Sequence, residues 1–224
     1  MQGEILIQLD AAASDAAAYV DAARAAVRPR VSRNGKLDRA ALDREQHLVH
    51  GLAWVATYAE TLREVAAWAR ALSEQGKFGE TEALLAKLLG AEYAAQLAGG
   101  VAMSQVETIR PADFCVAAPL ARLAISQDKK TRLAQLLRAS QGRATLEHTG
   151  LDADLDLIRD QFRKFADAEI LPHAHQWHLR DQLIPIEIIQ HMGALGVFGL
   201  TIPEAFGGSG LGKIAMCVVS EELS

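Results

Sequence analysis

Residues 184–224 read IPIEIIQHMGALGVFGLTIPEAFGGSGLGKIAMCVVSEELS, and their order decides the fold. It predicts a helix, a sharp turn and a second helix. Pro185 stands where a first helical turn tolerates a missing N–H, and Ile186, Ile189, Met192 and Leu195 follow at helical spacing to form an apolar face. Gly193, Gly196 and Gly199 close that helix. Thr201-Ile202-Pro203 is extended, because the residue before a proline is pushed out of the α region. Gly207, Gly208, Gly210 and Gly212 predict a flexible bend, and the second helix runs from Lys213 onward with Ile214, Val218 and Leu223 on one side. A helix reaching Ser224 without a C-cap leaves its last carbonyls unpartnered, and this predicts a truncated domain.

Working outward, Pro185, Glu187, Met192, Gly193, Leu195 and Gly196 are followed by Pro203, Glu204, Phe206, Gly207, Gly208, Gly210 and Leu211, and then by Ser-Glu-Glu-Leu-Ser at 220–224. This series resembles the N-terminal α-helical domain of the acyl-CoA dehydrogenase family. Upstream, Leu155, Ile158, Phe162, Phe165 and Ile170 resemble that family's first helix, and Leu171-Pro172 resembles its exit. The resemblance covers Leu151 to Ser224, the last third of the chain.

Composition sets the broader limits. With 224 residues, half of them apolar, a substantial core is within reach, and Ala- and Leu-rich sequence with few aromatics predicts helix nearly throughout. A net charge of −5 argues against a nucleic-acid surface, which needs clustered Lys and Arg. Arg24, Arg28, Arg30, Arg33 and Lys36 gather around one loop and Lys129, Lys130 and Arg132 around another; both groups read as solvated charge. Cys115 and Cys217 are far apart in sequence, so a disulfide framework is not expected and the default compartment is reducing. The N-terminus lacks a secretory or transit pattern and no stretch has the ~18 apolar residues of a membrane helix. These readings predict a cytoplasmic protein without membrane or nucleic-acid partners.

Before the boundary placed at 141–150, the sequence predicts a helical bundle extension over residues 1–145. An Ala-rich helix is capped by Asp10 and ends at Pro29. Gly35 breaks the following loop and Asp38 starts a long second helix. Within that helix Leu48, Leu52, Val55, Ala59, Leu62, Ala66 and Ala69 alternate steps of four and three, as in an antiparallel bundle, with Trp54, Tyr58 and Trp68 at the margins. A third helix starts near Thr81 with Leu84, Leu88 and Leu89 on its apolar face, and Gly99-Gly100 permits a kink or close contact. Pro111 ends or bends that run. The segment from Leu84 to Phe114 has a faint similarity to the C-terminal helical bundle of the same dehydrogenases. One or two further helices follow from Pro119 to Ser140, with Asp128 as cap. The expected fold is therefore all-α: the bundle extension, then an acyl-CoA dehydrogenase-like N-terminal helical domain at 151–224.

Few residue groups suggest chemistry. His173, His175 and His178 have spacing that invites a metal, but they fall in a polar loop where Glu169 is the near carboxylate and no Cys assists, so no metal is expected. His47 and His50, three apart on a helix, read as surface histidines. Adjacent Glu221 and Glu222 point about 100° apart on a helix, so they predict hydrogen bonding to nearby turns rather than an acid–base dyad. The glycines of 207–212 follow no strand and match no nucleotide-binding pattern, and read as turn glycines. Cys115, between Phe114 and Val116, is expected to be buried and inert.

The resemblance implies an enzyme that binds FAD noncovalently and desaturates an acyl-CoA thioester between its α and β carbons, a glutamate taking the α-proton while hydride passes from the β-carbon to the flavin. It also implies an electron-transfer flavoprotein as partner and a homo-oligomer. In that family the flavin is held mainly by a β-domain and a C-terminal helical domain that also carry the base, so no catalytic residue or flavin ligand is assigned here. The fragment by itself is expected to be inactive. A leading helical domain is similar to the subgroup of methylsuccinyl-CoA dehydrogenases, which form mesaconyl-CoA. The alternatives are a stand-alone helical assembly module, or a flavin monooxygenase of the same fold.

Overall fold

The computed structural model describes residues 2–119, 123–140 and 149–224. The boundary stretch at 141–148 lies outside the described residues. The chain divides into two units, Met1–Gly150 and Leu151–Ser224, and both are helical.

Unit 1 is built on α1 (Gln2–Val31), α3 (Gln46–Glu74) and α4 (Glu80–Gly99), which pack on one another. The first helix starts well before Asp10, because Ile5, Leu9, Ala12, Ala16, Tyr19, Ala23 and Val27 form one buried stripe at steps of three and four. Asp10 is consequently no cap; its carboxylate pairs with Arg70 on α3. Pro29 sits inside the last turn, where burial of Val27 and Val31 on either side holds the helix through it. The α3 stripe is as expected: Leu48, Val55, Ala59, Leu62, Ala66 and Ala69 are buried, and Leu52, Trp54, Tyr58 and Trp68 are partly so. Asp38 caps a helix, its carboxylate accepting from the Ala41 N–H (3.2 Å), but that helix is the short α2 (Arg39–Arg44), separated from α3 at Glu45. On α4, Leu84 is buried whereas Leu89 faces solvent, and the buried set includes Glu82 and Lys87.

Two short antiparallel hairpins interrupt the helices. Ser32–Arg33 (β1) pairs with Lys36–Leu37 (β2) around Asn34-Gly35, both at positive φ, the conformation of a type I′ turn. Gly99 ends α4 rather than kinking it, and Val101–Ala102 (β3) then pairs with Thr108–Ile109 (β4). A 3₁₀ turn at Pro111–Phe114 follows, and α5 (Gln127–Ala139) is capped by Ser126 rather than Asp128, which lies in its first turn. Arg132 on α5 makes a two-pronged pair with Glu80, and Lys130 reaches Glu92 (2.8 Å), so these basic residues dock α5 onto α4.

The β4 strand is seated on α3 by a glycine. A Cβ at Gly51 would lie 2.8 Å from the Ile109 Cβ and 2.6 Å from its Cδ1, and Ile109 is fully buried. Gly51→Ala should therefore cost about 1–3 kcal/mol, despite the ~1 kcal/mol helix preference for Ala. In denaturant unfolding, Gly51→Ala combined with Ile109→Ala should cost less than the sum of the single changes, since the second removes the obstruction.

Tyr19 is buried against Phe114, ring centroids 6.3 Å apart, and its hydroxyl has no partner among the described residues. Burial, and then the Asp113 charge, push its pKa from 10.0 up to about 12. The folded state thus keeps the proton that the unfolded chain loses, so this contribution to stability is fully present below pH 10 and is lost as pH rises toward 12. Tyr19→Phe should raise stability by about 1 kcal/mol at neutral pH by removing an unpaired buried hydroxyl. Melting curves stepped from neutral to strongly alkaline pH should also show a weaker alkaline decline.

Unit 2 begins with α6 (Ala153–Phe165), capped by Asp152, whose carboxylate accepts from the Leu155 N–H (2.8 Å). Leu171-Pro172 is not an exit. A π-helical turn at Ala166–Ile170 leads straight into α7 (Leu171–Leu179), whose first turn absorbs the proline because its N–H is not needed there. Next come α8 (Ile186–Ala194), 3₁₀ turns at Val197–Gly199 and Glu204–Phe206, and α9 (Gly212–Leu223). α9 packs along α6, and the core of the unit is Phe162, Leu200 and Val219, flanked by Ile158, Leu195, Val197 and Leu223. Among the described residues no helix is long and apolar enough to cross a membrane.

Candidate functional site

The region between α8 and α9 carries the most distinctive geometry. Its backbone amides are consumed internally. Gly207 donates to the Glu204 carbonyl (2.9 Å), Gly208 to Pro203 (3.3 Å), Ser209 to Gly199 (2.9 Å), Gly210 to Ile202 (2.9 Å) and Leu211 to Leu200 (2.8 Å). The turn is therefore a pinned element, where the run of glycines alone suggested a flexible bend. These amides are turned inward, so the turn is not a phosphate cradle, which needs free N–H groups converging on the anion.

Two further contacts hold the frame. Arg163 on α6 makes a bidentate pair with Glu222 on α9 (2.6 and 2.9 Å), and Glu222 is nearly buried. The hydrogen bonds to Glu222 raise the Arg163 pKa further above its ordinary value. Glu222 is thus the structural member of the adjacent pair, tying one helix to another rather than bonding a nearby turn, while Glu221 is exposed. It completes the series Ala215, Val218, Val219, Glu222, the i, i+3, i+4, i+7 stripe that faces α6; Ile214 lies outside that stripe and is exposed. That spacing is present in the sequence, but nothing local names Arg163 as the partner. On the other side of α6, Phe165 meets the His191 ring of α8 edge-on at 4.9 Å.

α8 itself buries no residue. Ile186 is exposed and Ile189, Met192 and Leu195 are only half-buried, so the predicted apolar face is present but largely uncovered. With Leu183, Ile184, Phe198, Phe206, Leu211 and Ile214 also exposed, unit 2 leaves many large apolar side chains uncovered.

The histidines do not assemble a site. His173, His175 and His178 lie on α7, not in a loop, and all three are exposed; His173 stacks at a tilt on Trp177 with centroids 5.7 Å apart. In unit 1, His47 Nδ1 stands 3.8 Å from Glu107, and His50 Nε2 accepts from the Trp54 indole N–H (2.9 Å). Both line an open cleft of about 580 Å³ with Asp43, Gln46 and Glu107. Among the described residues no group of three or more His, Cys, Asp or Glu is placed to hold a metal ion. Cys115 is exposed rather than buried, because it terminates the 3₁₀ turn in the left-handed region (φ 58°) and projects outward. Cys217 is also exposed.

Residues 152–224 match the family described as "Acyl-CoA dehydrogenase, N-terminal domain". The chain is 46% identical over 230 residues to (2S)-methylsuccinyl-CoA dehydrogenase of Cereibacter sphaeroides, an alignment covering 99% of this chain and 42% of that protein. It is 36% identical over 76 residues to glutaryl-CoA dehydrogenase of Desulfococcus multivorans, covering 33% of this chain and 20% of the relative. The human mitochondrial short-chain specific acyl-CoA dehydrogenase is 37% identical over 62 residues, 28% of this chain and 15% of the relative. The chain thus spans 42% of the length of the methylsuccinyl-CoA relative, which it matches nearly end to end. A match over 99% of the chain takes in unit 1, whereas matches over about a third are too short to contain it.

Proposed function

We propose, from the premise that residues 152–224 are an acyl-CoA dehydrogenase N-terminal domain, that this chain is the opening portion of an FAD-dependent dehydrogenase that desaturates (2S)-methylsuccinyl-CoA to mesaconyl-CoA. The observation that carries the substrate is the 46% identity extending through unit 1, since the relatives named for other acyl-CoA substrates align over a third of the chain or less. In this reading residues 1–145 form an accessory bundle and 151–224 a helical domain whose exposed apolar side chains are covered by the rest of the protein. The product is a cytoplasmic homo-oligomer that passes electrons to an electron-transfer flavoprotein.

When bound, the flavin supplies the hydride acceptor. The glycine turn does not fit its pyrophosphate, because the amides from Gly207 to Leu211 are already engaged, and no step of the flavin chemistry is assigned to it. Nor is any residue of this chain assigned as the base. What these residues do is structural: the Arg163–Glu222 pair and the pinned turn fix α8 and α9 as a wall.

The test is to purify the protein encoded by the whole reading frame and assay (2S)-methylsuccinyl-CoA with an artificial electron acceptor, identifying the product by mass spectrometry. Flavin absorbance and mesaconyl-CoA formation are expected. Oxidation of glutaryl-CoA or butyryl-CoA in preference would overturn the substrate. A colourless protein oxidising no acyl-CoA would overturn the enzyme and favour an assembly module, and incorporation of oxygen into a product would favour a monooxygenase.

A further inference from the structure

Glu82 sits in the first turn of α4 with 4% of its surface exposed, and a carboxylate buried to that degree ordinarily has a basic partner or a set of N–H donors. Among the described residues it has neither an ion pair nor a hydrogen bond. A glutamate three residues past the N-cap commonly bonds back to the N-cap amide, but here that amide, on Gly79, donates to the Lys77 carbonyl (3.0 Å). The side-chain atoms that are both sealed and unbonded among the described residues belong to Tyr19 and Arg159, so the Glu82 oxygens keep what exposure the residue has. They keep it in a cleft of about 390 Å³, lined also by Gln2, Ser73, Gly76, Lys77, Phe78 and Gly79. Gly79 makes the room, since a Cβ there would lie 2.7 Å from Glu82 Oε2. The rim adds acceptors: Gln2 uses its amide N–H₂ on the Phe78 carbonyl (2.6 Å), which leaves its Oε1 to the cleft, and Ser73 brings a hydroxyl. Lys77, the basic residue of the lining, is exposed and lies beyond ion-pair distance of Glu82.

We propose that this cleft is a binding site for a small primary amine in its ammonium form, with the Glu82 carboxylate as its counter-charge. A primary ammonium carries three N–H donors and no acceptor, which matches a cleft whose floor is a carboxylate and whose rim offers the Gln2 and Ser73 oxygens. The bond to Glu82 is charge-assisted and is sheltered by the buried Phe78, so it is stronger than the same pair on an open surface. A metal ion fits less well. A calcium-type site draws about six to eight oxygens, several of them carboxylates, whereas Glu82 is the carboxylate of this lining. The volume also suits an ion with an organic body better than a bare one.

The protein encoded by the whole reading frame is titrated with methylammonium chloride at constant ionic strength, and hydrogen exchange is followed by peptide mass spectrometry. Amides 76–83 should exchange at least about threefold more slowly at saturation, while peptides from the first half of α3 stay unchanged. Tetramethylammonium, which has the charge but no N–H, and potassium should give no protection. Glu82→Gln keeps the shape and removes the charge, and it should abolish the effect; unchanged exchange over 84–97 checks that α4 is intact in the variant. Lys77→Gln should retain the effect. No protection in the parent, equal protection from tetramethylammonium or potassium, or protection that survives Glu82→Gln overturns the site. Protection that emerges only after Lys77→Gln makes Lys77 itself the counter-ion and overturns it equally.

Discussion

Gly208→Ala is expected to destabilise unit 2 by about 4 kcal/mol, near the upper end of what single substitutions do. A Cβ at this position would overlap the carbonyl oxygen of Ile202 and lie 2.6 Å from its carbonyl carbon. These are backbone atoms, so no side-chain rotation relieves the clash. The carbonyl concerned is also the acceptor for Gly210, so moving it aside breaks that bond and the neighbouring donation from Gly208 to Pro203. The expected signature is local: amides 207–211 lose hydrogen-exchange protection and the chain becomes sensitive to proteases there, while unit 1 amides are unaffected. Equal protection in the variant and the parent would show that the turn is not pinned as described. Ser209→Ala, at the next residue of the same turn but exposed, should change stability by less than about 0.5 kcal/mol.

Leu62→Ala should cost about 4 kcal/mol, toward the top of the 2–5 kcal/mol span for core leucines. Leu62 is 1% exposed at the centre of the larger core of unit 1. The cost depends on how far surrounding groups move into the space left, and here the cluster includes Ala16, Ala23 and Ala59, which have no side-chain length with which to fill it. Urea unfolding measures the loss, and Leu89→Ala on the exposed side of α4 serves as the control, with a change below about 1 kcal/mol. A Leu62→Ala cost comparable to the control would mean that the stripe packs more loosely than the burial indicates.

Which parts of this were legible beforehand follows the reach of the interactions. The α3 stripe was readable because one face of one helix carries it, and the motifs from Pro185 to Leu211 were readable because turns are written in adjacent residues. The two hairpins were not seen. Two-residue strands have no periodicity to detect, although Asn34-Gly35 is a strong turn signal that was available. The buried side of α9 was misjudged by starting the stripe at Ile214 rather than Ala215, an error of one position that the Glu222 contact would have corrected had its partner been known. Arg163 and Glu222 are 59 residues apart, and pairing at that distance leaves no local trace. Likewise, Glu82 looks like an ordinary helix surface residue until α1 and the turn at 76–79 are laid against it. The candidate wall was legible as a motif; its rigidity, which comes from amides donating inward, was not.

The π turn at Ala166–Ile170 has an evolutionary meaning. The Leu171 N–H donates to the Ala166 carbonyl five residues back, so the helix from Ala153 to Leu179 holds one residue more than an α-helical path would. Downstream of it the half-buried positions are Ala174 and Trp177, one later than the phase set by Ile158, Phe162 and Phe165 extrapolates to. A single-codon insertion into an α-helix would leave this geometry, one extra residue taken up by a π bulge. A relative lacking that codon should carry an uninterrupted α-helix here, and the gap in its alignment should fall within 166–170.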